Sequence, residues 1–106
     1  MTSNAFAAGA YAAIQSAGLT DKITIGSIDG SCTGVQNVQK GIIGATVMQF
    51  PKKMASEGVA AVVAYAKDGT KPAENFNDTG SVLITDKPVA GLESQDTTWG
   101  AENCWG

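Results

Sequence analysis

A chain of 106 residues has room for one small domain, and at this size it buries only about two-thirds of its unfolded surface. Apolar residues make up 43% of it, yet 16 residues are Ala, and Leu, Ile, Val and Phe together number only 21. A buried large aliphatic side chain is worth about 1.5–3 kcal/mol and Ala far less, so the core is thin. That suits helices packed closely on a sheet, or a piece that leans on a larger body. The net charge of −3, with seven Lys, no Arg and no basic stripe, leaves too few cations to neutralise a phosphate backbone and excludes non-specific nucleic-acid binding. Without any His, and with Cys32 and Cys104 far apart, zinc, haem and His-based acid–base chemistry lose their usual ligands. No metal and no cofactor is therefore expected. No apolar run approaches the roughly 20 residues of a membrane span. No signal-peptide pattern opens the chain, which reads as a mature form or as one lacking its natural N-terminus.

In chain order, residues 4–17 read as a first helix. Phe6, Ala10, Ala13, Ile14 and Ala17 share one helical face, Ser3 or Asn4 can cap it, and Gly18 can stop it. Residues 23–28 form a short strand that ends in the polar turn Asp29-Gly30-Ser31. A second helix follows over 33–40, with Ser31 or Thr33 as cap, Val35 and Val38 as contacts and Gly41 as stop. Residues 45–49 read as another strand. Pro51 then opens a third helix that runs to about Lys67, since a first-turn Pro gives up no helical hydrogen bond. Met54, Val59, Val62, Val63 and Ala66 give this helix a wide apolar face. The polar stretch 68–79 suits a linker, 81–85 a last strand, and the tail beyond Pro88 reads as irregular. Alternating helices and strands of this kind predict an α/β sandwich with a mainly parallel sheet.

Open α/β sheets bind ligands beyond the carboxyl ends of their strands. Asp29 and Gln49 stand at two such ends, and Ser3-Asn4 precede the first helix where a third strand would end. A carboxylate with amides and a hydroxyl suits a polyol, because each can share hydrogen bonds with neighbouring hydroxyls without changing protonation state. The alternative role for Asp29 is to cap the following helix. No GxSxG elbow, Walker loop or GxGxxG fingerprint is present, so no catalytic residue is assigned. Trp105 more readily docks the tail than stacks on a ligand. The two cysteines leave two readings open: a bridge worth about 4 kcal/mol in the chain-entropy model, or two free thiols.

Four segments carry a family likeness. Asn4-Ala5-Phe6-Ala7-Ala8-Gly9-Ala10 resembles the helix start N-D-x-x-A-x-G-A of type I periplasmic sugar-binding proteins. Ile25-Gly26-Ser27-Ile28-Asp29-Gly30 is similar to their V-V-G-F-D-G strand and turn, and 44–51 to their A-A-T-I-A-Q-x-P segment. Gly69-Thr70-Lys71-Pro72 with 79–85 resembles the closing G-x-x-P and T-G-x-x-I-T. The cysteines and the Cys-Trp-Gly ending are most similar to the fructose/ribose-type branch. Three departures stand out: Ser3 falls where the family has Asn, Asn4 where it has Asp, and Ile28 where an aromatic is common.

The resemblance implies the C-terminal part of the substrate-binding component of a sugar ABC importer, not an enzyme. Its fold would be an incomplete second lobe, a partial three-layer α/β sandwich. Asp29, Gln49, Asn4 and Ser3 would hydrogen-bond a monosaccharide in an interlobe cleft. Residues 1–50 would form the second-lobe unit, 51–80 a helix and linker packing on the first lobe, and 81–106 the closing strand and tail. A periplasmic location is oxidising and favours a Cys32–Cys104 bridge. The partners implied are the sugar, bound weakly by a fragment, and a membrane permease. The apolar face of the 51–67 helix further predicts self-association. The alternative within the same fold is an effector-binding domain fragment of a lactose-repressor-type regulator.

Overall fold

A computed structural model describes residues 2–106. In chain order the elements are β1 (Thr2–Ser3), α1 (Asn4–Ser16), β2 (Gly26–Asp29), α2 (Cys32–Gln39), β3 (Ala45–Met48), α3 (Pro51–Asp68), β4 (Val82–Ile84) and α4 (Thr97–Asn103). They fall into two compact units. One runs to Gln49 and resumes over Ser81–Gly106; the other is Phe50–Gly80.

The first unit is built on a sheet of order β1-β2-β3-β4, in which the first three strands are parallel and β4 is antiparallel to β3. The α/β class with a mainly parallel sheet is thus present. β2 begins later than the apolar run that predicts it: Ile23 donates its N–H to the Leu19 carbonyl and lies outside the strand. α4 was not expected. Its start is set by Asp96, whose carboxylate accepts from the Trp99 N–H at 2.8 Å. Gly100 lets α4 approach closely, since a Cβ there would crowd Val35 and Ile84.

α1 also presents a different face from the one its apolar spacing suggests. Asn4 and Ala7 are buried and Tyr11 and Ile14 half-buried, whereas Phe6 is 72% exposed and Ala10, Ala13 and Ala17 face solvent. Hydrogen bonds around Asn4, described below, fix the rotation of the helix; with so much Ala on every side, apolar spacing cannot. Ala7, Val38 and Ile43 then form the centre of the core, flanked by Ile25 and Ile42. Val35, Met48 and Ile84 are sealed as well.

The second unit is α3 and the segment that follows it. Pro51 stands in its first turn and Gly69, in the left-handed region at φ 74°, ends it. Asn77 donates to the Glu57 carboxylate at 2.6 Å, and the Lys53 ammonium to the Thr79 carbonyl at 3.2 Å. Asp68 accepts from both the hydroxyl and the N–H of Thr70, and these bonds, the hydroxyl first, hold its carboxyl below the usual carboxylate range. No residue of α3 is buried.

Candidate functional site

The parallel pairing of β1, β2 and β3 brings three strand ends to one edge of the sheet. Ser3 lies in register with Ile28, and Asp29 with Met48, so Ser3, Asp29 and Gln49 stand at successive steps along that edge. Neighbouring strands are about 4.8 Å apart and each residue rises about 3.3 Å. Ser3 is level with Val47, so Gln49 lies two strand spacings across and two residues further along, roughly 12 Å away. Asp29 and Gln49 are joined directly: the Gln49 N–H donates to the Asp29 carbonyl at 3.1 Å. Asp29 is half-buried and Gln49 exposed. Among the described residues nothing hydrogen-bonds either side chain, so both are uncommitted within the chain.

Asp29 is not a helix cap. Ser31 takes that role for α2, its hydroxyl accepting from the Gly34 N–H at 3.2 Å. Asp29 instead has φ 100°, the one positive value among the non-glycine residues described. A conformation of this kind costs about 1–3 kcal/mol and persists only where its surroundings impose it. Those surroundings are visible on both sides of the Asp29–Gly30 peptide. Its carbonyl accepts from the Gln49 N–H and, at 2.9 Å, from the Trp105 indole N–H. Its N–H, that of Gly30, donates to the Asn4 side-chain oxygen at 3.1 Å. Gly30 itself, at φ 66°, has no room for a Cβ, which would strike the backbone of Met48.

Asn4 lies under this loop and is only 8% exposed. Its amide orientation follows from partners that can act in one sense only: backbone N–H groups donate and backbone carbonyls accept. The oxygen therefore faces the N–H groups of Gly30 and Ser31 and the Ser31 hydroxyl, each at 3.1 Å. The nitrogen faces the Ser27 hydroxyl at 2.7 Å and, at 3.2 Å, the Ile28 carbonyl and the Thr46 hydroxyl. Ser27 and Thr46 are themselves buried. One amide thus ties the start of α1 to β2, β3 and the loop into α2. The packing is close enough that Gly34 must be glycine, because a Cβ there would collide with the Asn4 amide. Expected to be a ligand group, Asn4 has its whole hydrogen-bonding capacity engaged within the chain. Ser3, by contrast, precedes α1 with extended backbone and makes no side-chain cap bond.

The C-terminal tail completes the edge. Cys32 and Cys104 are disulfide-bonded, closing 72 residues of chain, and the thiol alternative is set aside. Beside the bridge, the Cys32 N–H donates to the Trp105 carbonyl at 3.0 Å, and Ser31 pairs with Trp105 as an isolated parallel bridge. Trp105 docks the tail, and in doing so sets its indole against Asp29. Its adjacency to Cys104 was the one sequence signal for that contact. Ser27, Ser31 and Thr46 carried no signal, because isolated Ser and Thr in a strand or turn look like any solvated polar residue.

A concavity of about 320 Å³ lies elsewhere, lined by Thr85, Asp86, Pro88, Ser94, Gln95 and Asp96. Thr85 donates to the Gly44 carbonyl, which places this hollow at the start of β3, the opposite edge of the sheet. Its carboxylates are committed: Asp86 accepts from the N–H and hydroxyl of Thr97, and Asp96 caps α4. It offers a ligand little.

The profile of the periplasmic binding protein domain matches residues 1–71. A solved galactofuranose-binding protein is 38% identical to this chain, with a TM-score of 0.64; the match covers 73% of this chain and 26% of that one. An ABC transporter solute-binding protein from Agrobacterium vitis, solved with bound D-fucose, is 26% identical with a TM-score of 0.69, covering 99% of this chain and 33% of its own. The chain therefore spans about a quarter to a third of the length of these two relatives. With two-thirds of its length matched by the family profile, and the fold shared with sugar receptors, the chain belongs to the periplasmic binding protein domain family.

Proposed function

We propose that the chain is the second-lobe, C-terminal portion of the solute-binding component of a sugar ABC transporter, and that it holds a monosaccharide through Ser3, Asp29 and Gln49. Asp29 accepts hydrogen bonds from sugar hydroxyls, Gln49 both donates and accepts, and Ser3 supplies a rotatable hydroxyl. Asn4 serves the same site from beneath by holding the 30–31 loop. The observation that carries this reading is the Asp29–Gln49 pair, joined by a backbone hydrogen bond with both side chains uncommitted at the carboxyl edge of a parallel sheet. The relatives that bind galactofuranose and D-fucose support a monosaccharide as the ligand class. Capture of this kind needs no bond making, so the site works as a receptor and not as a catalyst. Its location would be the periplasm, and its partner in the intact receptor a membrane permease. The regulator alternative draws no support from these relatives.

A site presenting one wall of a cleft makes about half the contacts of a closed receptor, and affinity falls accordingly. Isothermal titration of this chain with a panel of pentoses and hexoses is expected to give weak binding, millimolar at best. Asp29→Ala is expected to abolish it. Submicromolar affinity, or binding that survives Asp29→Ala, would contradict the assignment.

The apolar face of α3 fits the same reading. Val59 and Val62 are 63% and 68% exposed, with Met54, Val63 and Tyr65 also open. In the intact receptor this face would pack on the first lobe, and in the chain alone it would pair two copies. Sedimentation at tens of micromolar is expected to show a dimer that Val62→Lys disperses; a compact monomer would count against pairing.

A further inference from the structure

The Asp29 carbonyl is the acceptor for two donors from distant parts of the chain, Gln49 and Trp105. Gln49 comes with β3 and would be there whatever the tail did. Trp105 is there because Cys104, one residue earlier, is bonded to Cys32 at the first position of α2, three residues beyond Asp29. The tail is then aligned by the Cys32 N–H to the Trp105 carbonyl and by pairing with Ser31. The indole is thus brought to the carbonyl of the one non-glycine residue described with a positive φ.

We infer that Trp105 is a positioning residue for Asp29. Its indole N–H fixes the orientation of the Asp29–Gly30 peptide, and with it the direction in which the Asp29 carboxylate leaves the backbone. Two bonds hold the carbonyl end of that peptide and the Asn4 oxygen holds its N–H, so the peptide cannot rotate while all three persist. Removing the indole donor leaves the carbonyl with one protein partner and lets Asp29 relax toward the ordinary extended conformation of a strand. The disulfide acts upstream of this contact by delivering the tail. The consequence for ligand rests on the proposed sugar site: a carboxylate set in place before binding loses less freedom when it binds.

The test separates the two layers. Trp105→Phe keeps an aromatic ring and removes only the N–H donor. In the absence of sugar, the three-bond coupling between the amide and α protons of Asp29 reports φ directly. It is small at the native value and is expected to rise in Trp105→Phe toward that of an extended residue, with shifts in the Gly30 and Gln49 amide signals. A coupling and amide signals unchanged from wild type would overturn the inference. Should the variant fold poorly, the wild-type protein gives a second reading. The Trp105 indole proton is expected to exchange with water at least tenfold more slowly than that of Trp99. Exchange as fast as in a free indole would overturn it equally. Sugar titration followed by amide shifts then addresses the other layer: Trp105→Phe is expected to weaken binding about tenfold. A wild-type protein that keeps the native coupling but responds to no sugar would contradict the proposed function and leave the positioning intact.

Discussion

In the sheet unit, Ala7, Ile43, Met48 and Ile84 are at most 1% exposed, and the buried hydroxyls of Ser27 and Thr46 meet the Asn4 amide. In the other unit, α3 is longer than any other helix of the protein and buries nothing of its own. Both are amphipathic in sequence. The difference is that the first unit seals a core of its own, whereas α3 leaves Val59, Val62 and Tyr65 mostly exposed. Stability is therefore expected to reside in the sheet unit, and α3 to act as an interface.

Perturbations of the two regions should diverge accordingly. The largest loss is expected from Cys32→Ser with Cys104→Ser, about 4 kcal/mol in the chain-entropy model, read as a lowered urea midpoint. Ile43→Ala should cost about 3 kcal/mol by leaving a cavity in a site that is 1% exposed. Val62→Ala, a truncation on α3, should stay within about 0.5 kcal/mol when measured on the dilute, unpaired chain. A loss at Val62 equal to that at Ile43 would erase the distinction between the units. Asn4→Ala should cost about 1–3 kcal/mol, since it strips partners from buried hydroxyls and loop N–H groups. Gly34→Ala should be destabilising because its new Cβ meets the Asn4 amide, and milder once Asn4→Ala has cleared that space. Additive losses in this double-mutant cycle would show that the two positions do not share the contact. The smallest effect belongs to Asp68. Its depressed carboxyl contributes stability that is present above the ordinary carboxylate pKa and is lost as pH falls through the lower folded value. Its midpoint, followed by carbon-detected NMR, should rise in Thr70→Ala, which removes the hydroxyl bond.

Much of the fold is legible in the sequence because its signals are local. Gly41 and Gly69 mark helix ends and Pro51 a helix start, and each needs only its immediate neighbours to be read. The face of α1 is not local. Ala populates nearly every side of that helix, so apolar spacing favours Phe6, while a buried amide network with β2 and β3 turns Asn4 and Ala7 inward. α4 escapes for a related reason: seven residues with little apolar pattern form a helix because Asp96 caps them and Val35 and Ile84 receive Gly100. At the candidate site, Asp29 and Gln49 can be found from their place after strands. The division of labour between Ser3 and Asn4 cannot, because adjacent polar residues at a strand end look alike until one of them is buried. The indole contact from Trp105 spans 76 residues, and only the cysteine beside it hinted where the tail would land.

The central claim is that Ser3, Asp29 and Gln49 form one wall of a sugar site. Mapping amide shifts during titration with a hexose and a pentose tests it most directly. The account predicts saturable shifts confined to residues 3, 28–31 and 48–49, lost in Asp29→Ala. Shifts centred instead on the Thr85–Asp96 hollow, or none at this edge with any sugar of the panel, would contradict it.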